Sequence, residues 1–318
     1  MAVYTEVSDA ELEVFLGGYP LGRPLSFKGV AEGVENSNYV LETETGRYIL
    51  TLYERRAKAE DLPFFMALME WLAGRGYPCA RPIADKSGRV LNRLCGRPTA
   101  IVTFLTGLAP RRPSVVQCLE AGDGLAWLHI AGQGFPMWRE NDFGQDAWAA
   151  MTRALTEKAE ALKPGLATTL AGDIDFLGAA WPSDLPSGVI HADWFPDNVF
   201  LQDGRFAGAI DFYFAACDQF AYDIGVALNA WCFEADGSFN VTAARALILG
   251  YQRRRALGPA EKAALPILAR GAAMRFLLTR LADWGEGREG ALVRPKDPLE
   301  YERKLAVHRA GLHLFEDS

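Results

Sequence analysis

Residues that crosslink a chain or anchor it in a membrane are scarce in this sequence. Its 318 residues include five cysteines, which are irregularly spaced and form no Cys-x-x-Cys motif. We therefore expect reduced thiols, with neither a structural disulfide nor a zinc site. No apolar run approaches the roughly 18 residues that a membrane-spanning helix needs. The first residues lack the basic and apolar regions of a signal peptide. These absences predict a cytoplasmic protein with no membrane partner.

An excess of basic charge is absent as well. The 33 Lys and Arg residues are outnumbered by 40 Asp and Glu residues, which gives a formal net charge of −7. Because a general nucleic-acid binder presents a basic surface, we expect no nucleic-acid partner. The hydrophobic content of 50% is ample for a large core in one or two domains. Nothing in the sequence indicates an oligomeric state.

Strand patterns dominate the first third of the chain. A capping box at Ser8 and Glu11 predicts a short amphipathic helix that Gly17 and Gly18 end. The spacing of apolar residues predicts a second helix over 61–73. Strands are predicted on both sides of that helix, over residues 27–30, 39–42, 47–53, 89–94 and 99–105.

After Gly107 the pattern becomes helical. A second capping box begins at Ser114, and its helix carries His129 near the end, where we expect a buried histidine with satisfied hydrogen bonds. Further helices are predicted over residues 145–180, 218–232, 242–255 and 259–284. Pro259 suits the first position of the last helix, whereas Pro266 is expected to kink or split it.

The most informative stretch is His191-Ala-Asp-Trp-Phe-Pro-Asp-Asn198, followed thirteen residues later by Asp211. Phosphoryl transfer from ATP needs one group that orients the acceptor hydroxyl or takes its proton, and two oxygen ligands that hold Mg²⁺ against the phosphates. Asp and Asn supply the oxygens that Mg²⁺ prefers. Short apolar runs flank the stretch, so we expect Asp193 and Asn198 on one loop between strands, with Asp211 at the end of the next strand.

Three stretches carry a resemblance to a known family: Gly29–Tyr39, His191–Asn198 with its continuation to Tyr213, and Tyr222–Cys232. They resemble the aminoglycoside-phosphotransferase/choline-kinase group of protein-kinase-like small-molecule kinases, and within it the ATP-dependent homoserine kinases. The resemblance implies an α+β, two-lobed protein-kinase-like fold. Its antiparallel-sheet, nucleotide-binding lobe would span residues 1–104, and its mainly helical, catalytic and substrate-binding lobe would span residues 105–318. It also implies phosphorylation of the side-chain hydroxyl of L-homoserine, a step of threonine biosynthesis.

The same resemblance implies roles for the residues of the motif. Asp193 is expected to be the catalytic base, and Asn198 and Asp211 are expected to bind Mg²⁺. His191 is expected to pack under the loop and bond to backbone rather than transfer a proton. Asp223, twelve residues after Asp211, is expected to brace the loop through hydrogen bonds.

ATP is the other expected ligand. The loop between the first two strands resembles the phosphate-covering loop of the family, in which glycine lets backbone N–H groups approach phosphate oxygens and small polar side chains add donors. Its expected contacts are Gly33, Asn36, Ser37 and Asn38. Adenine is expected to meet the backbone of Thr103, Phe104 and Leu105 and the side chain of Ile49.

One position departs from the family pattern. Kinases of this broad type carry a Lys on the third strand, which reaches the phosphates, and here that position is Thr51. Lys28, Arg47 and Arg55 are candidates to replace it, and the sequence does not choose among them. The departure favours, slightly, a weak or inactive kinase.

The acceptor site is predicted from the charges of homoserine and from helical spacing. Homoserine presents a carboxylate and an ammonium beside the reacting hydroxyl, and both need partners because their desolvation would otherwise oppose binding. Arg280 and Asp283 lie three residues apart on roughly one face of the last predicted helix, so we favour this pair over Arg275. Two alternatives stay open: another small-alcohol kinase acting on choline, methylthioribose or an aminoglycoside, and a nucleotide-binding pseudokinase.

Overall fold

The computed structural model describes residues 5–30, 36–54, 58–285, 296–312 and 314–315. These residues divide into two compact units, one that runs to Thr106 and one that begins at Gly107. None of the described helices is long and apolar enough to cross a membrane.

The first unit is built on one five-stranded sheet. Its strands are β1 (Pro24–Gly29), β2 (Ser37–Thr43), β3 (Gly46–Leu52), β4 (Asn92–Leu94) and β5 (Arg97–Thr103). Neighbours in the order β1-β2-β3-β5-β4 all pair antiparallel. The described helices of this unit are α1 (Asp9–Leu16) and α2 (Leu62–Gly74). The predicted elements are therefore present, with boundaries shifted by a few residues.

Helix α1 begins at the predicted capping box. The Ser8 hydroxyl accepts the N–H of Glu11 at 3.3 Å, and the Glu11 carboxylate accepts the N–H of Ser8 at 3.0 Å. Leu12 and Leu16 of this helix are buried in a cluster with side chains of one face of the sheet. That cluster includes Tyr39, Leu41, Leu50, Leu52 and Ile101. Because side chains alternate along a strand, Ile49 and Thr51 of β3 lie on the opposite face, as predicted.

The second unit is mainly helical. Its helices are α3 (Val115–Ala131), α4 (Gln145–Ala154), α5 (Thr156–Leu162), α6 (Leu166–Ala180), α7 (Phe220–Trp231), α8 (Val241–Gln252), α9 (Pro259–Asp283) and α10 (Pro298–Ala310). Its strands are β6 (Ser187–Ile190), β7 (Val199–Gln202), β8 (Arg205–Ala209) and β9 (Ala216–Gln219). The predicted helical stretch over 145–180 is thus three helices in succession.

Glycine allows two helices of this unit to cross at very short range. A Cβ added at Gly122 on α3 would lie 2.0 Å from the carbonyl oxygen of Leu247, and one added at Gly250 on α8 would lie 1.9 Å from that of Leu119. Both distances are far below van der Waals contact. The two backbones therefore pack directly against each other, which only glycine permits at these positions.

Helix α9 runs without interruption through Pro266, so of the two predicted effects, a kink or a split, the split does not occur. Proline removes one helical hydrogen bond and crowds the preceding turn. Most side chains of α9 after Pro266 are buried, among them Leu268, Met274 and Leu277. Burial of this long apolar surface against α7 and α10 outweighs the cost of one missing bond.

Candidate active site

The central loop of the motif lies between two antiparallel strand pairs. Strand β6 pairs with β9, and β7 pairs with β8. His191 follows β6 directly, and the loop ends in a short 3-10 turn, Pro196–Asn198, before β7. Asp211 follows β8 after one intervening residue. This is the placement that the strand pattern predicts for Asp193, Asn198 and Asp211.

Asn198 is bonded to the residue predicted to be the base. Its Nδ2 donates to the Asp193 carbonyl oxygen and to Oδ2 of the Asp193 carboxylate, both at 2.9 Å. Because both partners are acceptors, the amide must present its nitrogen to them. Oδ1 of Asn198 therefore remains as the atom that can meet a cation.

The carboxylate of Asp193 is partly buried, and its surroundings shift its pKa in opposite directions. Burial raises its pKa to about 6, while the positive charges of Arg275 and Lys296 and the hydrogen bond from Asn198 act in the opposite direction. At neutral pH most of the carboxylate is therefore ionised and can accept a proton. A pKa close to the working pH is what general-base catalysis favours.

His191 connects the loop to the residue before Asp211. Its Nε2 donates to the carbonyl oxygen of Ile210 at 2.9 Å, and its Nδ1 accepts the N–H of Asp193 at 3.3 Å. These partners select the neutral ring with the proton on Nε2, and burial lowers the pKa of the ring. The N–H of Ile210 donates to the carbonyl oxygen of Asn198 at 3.0 Å. Both backbone groups of Ile210 are therefore tied to the loop that holds Asp193.

The carboxylate of Asp223 on α7 accepts hydrogen bonds from the backbone at the start of the loop. It is fully buried and accepts the N–H of His191 at 2.7 Å and that of Ala192 at 2.9 Å. Burial alone would raise its pKa, but these bonds and the one to His129 keep the pKa below its usual value. His129 lies 3.1 Å from Asp223 through Nε2 and 2.7 Å from the Tyr251 hydroxyl through Nδ1, so the prediction of a satisfied core histidine is confirmed.

Arg275 of α9 reaches the same loop from the other side. It is 2% exposed, it donates to the carbonyl oxygen of Ala192, and its guanidinium lies over the rings of Phe143, Phe214 and Phe276. The φ angle of Ala192 is 61°, in the left-handed region that residues other than glycine rarely adopt. Since Asp223 binds the N–H of Ala192 and Arg275 binds its carbonyl, this conformation is held at both ends.

Asp211 also has a left-handed backbone, with φ of 63°, and its side chain is exposed. Asp and Asn enter this region more readily than most residues. The conformation turns the chain from Ile210 into the 3-10 turn Phe212–Phe214. Asp211 thus lies one residue from a backbone that is bonded to both His191 and Asn198.

Asn198 and Asp211 carry the oxygen types that Mg²⁺ prefers, and their joint binding of the ion stays a prediction. In the part of the chain that the structure describes, no group of three or more His, Cys, Asp or Glu side chains could hold a metal ion. Mg²⁺ in kinase sites is bound by one or two carboxylates together with substrate phosphates. One amide oxygen and one carboxylate are therefore a sufficient protein contribution when phosphates complete the shell.

The residues predicted to contact nucleotide phosphates have polar partners within the first unit. Gly33 lies outside the described residues. Asn36 accepts the N–H of Glu54 at 3.3 Å, and the buried Ser37 hydroxyl donates to the Glu54 carboxylate at 2.8 Å. Asn38 accepts the Thr51 hydroxyl at 2.8 Å. At the position where the family carries a Lys, the structure therefore has a hydroxyl bonded to an amide, and phosphate contacts by these residues stay a prediction.

The candidate replacements for the missing Lys differ in their surroundings. Lys28 on β1 is exposed, and Arg55 lies outside the described residues. Arg47 at the start of β3 is about half exposed, with its guanidinium carbon 5.2 Å from the centre of the Phe104 ring.

The residues predicted to meet adenine are half-buried. They are Ile49, Thr103, Phe104 and Leu105. The backbone of Thr103 is already bonded to Arg81, and the N–H of Phe104 donates to the carbonyl oxygen of Arg47 at 3.3 Å. Their contact with adenine stays a prediction.

The residues favoured for the acceptor have protein partners as well. Arg280 is 8% exposed and donates to the Glu300 carboxylate at 2.6 Å and to the carbonyl oxygen of Asp297 at 3.1 Å. Asp283, three residues on, is half-buried at the end of α9. Binding of an acceptor carboxylate by Arg280 would require it to exchange partners, so the pairing of Arg280 and Asp283 with substrate stays a prediction, as does the role of Arg275.

Sequence reasoning assigned no role to Lys296 or Tyr251. The Lys296 ammonium lies 3.8 Å from the Asp197 carboxylate and 5.1 Å from the centre of the Phe195 ring, both on the loop between Asp193 and Asn198. Tyr251 is bonded to His129, which is bonded in turn to Asp223. Both residues come from segments distant in the chain and follow no local motif, so only the tertiary structure identifies them.

Curated homoserine kinases align with almost the whole of this chain. A curated homoserine kinase from Caulobacter sp. (strain K31) is 67% identical over 316 residues, which cover 99% of this chain and 99% of that protein. A second, from Phenylobacterium zucineum (strain HLK1), is 64% identical over 311 residues, covering 98% of this chain and 96% of that protein.

Among solved structures, an amicoumacin kinase in complex with AMP-PNP and Ca²⁺ superposes with a TM-score of 0.68 at 15% identity, covering 96% of this chain and 92% of that one. At that identity the similarity establishes the protein-kinase-like fold. The family model described as "Phosphotransferase enzyme family" matches residues 26–257, well over half of the sequence. The chain therefore belongs to the phosphotransferase enzyme family.

Proposed function

We propose that this protein transfers the γ-phosphate of ATP to the side-chain hydroxyl of L-homoserine, forming O-phospho-L-homoserine for threonine biosynthesis. The observation that carries the proposal is the bonded set of Asp193, Asn198 and the backbone before Asp211, present in a chain that is 67% identical to a homoserine kinase over almost its full length. The set supports phosphoryl transfer to an alcohol, and the relatives support homoserine as that alcohol.

In this proposal Asp193 orients the attacking hydroxyl and takes its proton. Its carboxylate is ionised at neutral pH, and one oxygen is held by Asn198 at 2.9 Å. His191 and Asp223 do not touch the substrate; they fix the backbone on which Asp193 stands. Positioning of this kind is the main contribution that a protein makes to phosphoryl transfer.

Asn198 Oδ1 and the Asp211 carboxylate would hold Mg²⁺ together with the phosphates of ATP. Bound there, the ion would neutralise charge that develops on the transferred group. Residues 1–104 would provide the nucleotide-binding lobe, with contacts from the loop that ends at Asn38 and from the backbone of residues 103–105. Residues 105–318 would provide the catalytic residues and the acceptor site.

The proposal places the enzyme in the cytoplasm with ATP and L-homoserine as partners, and without nucleic acid or membrane. A panel of small alcohols tests it, with ATP turnover measured for L-homoserine, choline, methylthioribose and an aminoglycoside. We expect turnover to be fastest with L-homoserine. Faster turnover of another alcohol would identify that alcohol as the substrate in place of homoserine. ATP binding without turnover of any alcohol would support the pseudokinase alternative.

A further inference from the structure

The three arginines in the middle and last part of α9 are committed to protein partners. Arg270 is bonded to the buried carboxylate of Asp173, Arg275 to the carbonyl oxygen of Ala192, and Arg280 to Glu300. Each is largely buried. Displacing Asp173 from Arg270 or Glu300 from Arg280 would leave a carboxylate without its charge partner, whereas Arg275 is enclosed by the loop backbone and three aromatic rings.

Lys296 offers a cation at the catalytic loop without that cost. It stands just before α10, with its ammonium 3.8 Å from the carboxylate of Asp197. The side chains of Lys296 and Asp197 are 58% and 68% exposed. An exposed ion pair of this kind contributes little to stability, so it can open when a ligand arrives.

The position of this pair relative to Asp193 is the second observation. Asp197 lies on the same loop as Asp193, one residue before Asn198, and the Lys296 ammonium lies 5.1 Å from the ring of Phe195, which is also on that loop. Asp197 lies four residues after Asp193 on this loop, and Lys296 is paired with Asp197. Both charges therefore lie on, or against, the loop that carries the carboxylate that would meet the acceptor hydroxyl.

The charges of the pair are complementary to those of an amino-acid zwitterion. In homoserine two methylenes separate the reacting hydroxyl from the carbon that bears the ammonium and the carboxylate. An acceptor whose hydroxyl meets Asp193 must therefore have both charges bound within a few ångströms of that residue. When the ligand binds, its carboxylate can replace Asp197 as the partner of Lys296, and its ammonium can replace Lys296 as the partner of Asp197.

We propose that Lys296 binds the carboxylate of the acceptor amino acid and that Asp197 binds its ammonium group. This inference rests on the proposed homoserine kinase activity and names the residues that select the acceptor. The pair recognises a free amino acid with a terminal hydroxyl and discriminates against alcohols that lack either charge.

Three acceptors separate the two contacts: L-homoserine, homoserine amide, which lacks the carboxylate charge, and γ-hydroxybutyrate, which lacks the ammonium. For Lys296→Met we expect the KM for L-homoserine to rise about 10- to 100-fold, the range for loss of one charged hydrogen bond. The KM values for homoserine amide and for ATP should stay within a factor of about two. Lys296→Arg should recover part of the loss.

For Asp197→Asn the acceptor that should be unaffected is γ-hydroxybutyrate instead of homoserine amide. The KM for L-homoserine and for homoserine amide should rise about 10-fold or more, whereas that for γ-hydroxybutyrate should not change. Lys163→Met is the matched control, because the half-exposed Lys163 lies at the end of α5 with its ammonium 3.0 Å from the carboxylate of Glu302 on α10. Its kinetic constants should equal those of the wild type.

Other outcomes overturn the inference. If Lys296→Met lowers kcat equally for L-homoserine and its amide without a change in the homoserine KM, the ammonium serves the transferred phosphoryl group instead. If neither constant changes, the pair is a surface ion pair without function. Wild-type enzyme that does not phosphorylate L-homoserine would refute the proposed function itself, which separates that failure from a failure of this inference.

Discussion

At the scale of single residues, hydrogen bonds made by three side chains fix the backbone conformation of the catalytic loop. Asn198 donates twice to Asp193, His191 bonds to both Asp193 and Ile210, and Asp223 accepts two backbone N–H groups. None of these three supporting side chains has to move a proton for the loop to work. Substitution of the base should therefore remove chemistry while leaving the loop in place.

Asp193→Asn should keep ATP binding and stability but lose turnover by about 10²- to 10⁴-fold, because the amide cannot take the hydroxyl proton. Steady-state phosphorylation of L-homoserine and ATP binding by calorimetry measure the two effects. Asp203→Asn is the control, since Asp203 has φ of 50° in the turn between β7 and β8, where Asn is equally suited. Near-normal turnover in Asp193→Asn would exclude Asp193 as the base.

Asp211→Asn should weaken the binding of ATP in the presence of Mg²⁺ and have little effect in its absence. The amide keeps an oxygen and tolerates the left-handed backbone of residue 211, but it removes the negative charge that holds the cation. Titrations of ATP with Mg²⁺ and with EDTA provide the comparison. An unchanged dependence on Mg²⁺ would remove Asp211 from the metal site.

At the scale of elements, the second unit depends on how closely its helices approach. Helices α3 and α8 cross at Gly122 and Gly250, where there is no room for a side chain. Helix α3 carries His129, which supports Asp223 beneath the catalytic loop. A displacement at the crossing would therefore affect the site as well as stability.

Gly250→Ala should destabilise the protein by about 1–3 kcal/mol or more, because the added methyl group meets the backbone carbonyl of Leu119 and one helix must move. Gly172→Ala on α6 is the matched control: its Cβ meets no atom within 4 Å, so the change should stabilise the helix by up to about 1 kcal/mol. Urea unfolding measures both free energies. Equal effects of the two substitutions would contradict the close crossing.

At the scale of the whole molecule, the second unit buries several histidines in neutral form. Burial lowers the pKa values of His129 and His191, and it lowers that of His308, which bonds to Asn229, to about 3. The usual value is 6.5. Below pH 6.5 the unfolded chain therefore binds protons that the folded protein excludes, and folding stability falls as the pH falls.

His308→Gln isolates one of these contributions. Glutamine can still donate to Asn229 but does not titrate. Below pH 6.5 the free energy of unfolding of the variant should therefore fall less steeply than that of the wild type. The two curves should diverge by about 1.4 kcal/mol per pH unit between pH 6 and 5 and run parallel above pH 7. Urea unfolding from pH 8 to 5 tests this. Curves that remain parallel throughout would show that His308 takes up its proton over the same pH range in the folded and the unfolded protein.

Local patterns of sequence were sufficient for most of the elements and for the spacing of the central motif, but not for strand β9 or for the division of residues 145–180 into three helices. Capping boxes at Ser8 and Ser114, alternation in β3 and helical spacing in α2 each depend on neighbours within a few positions. The spacing of Asp193, Asn198 and Asp211 is local in the same sense, because strand, turn and returning strand determine it. The continuity of α9 through Pro266 was not predictable, since it depends on packing against helices elsewhere in the chain.

By itself the sequence determined the order of elements, the protein-kinase-like fold class and the residues of the phosphoryl-transfer motif. Only the tertiary structure decided which charges meet at that motif. Arg275 and Lys296 reach the loop from α9 and from the start of α10, and Arg280, the favoured acceptor residue, is bonded to Glu300 instead, whereas the bracing contact of Asp223 was expected from the sequence. The physical reason is that spacing along a helix predicts which side chains share a face, whereas the partner of a charge depends on what packing brings beside it.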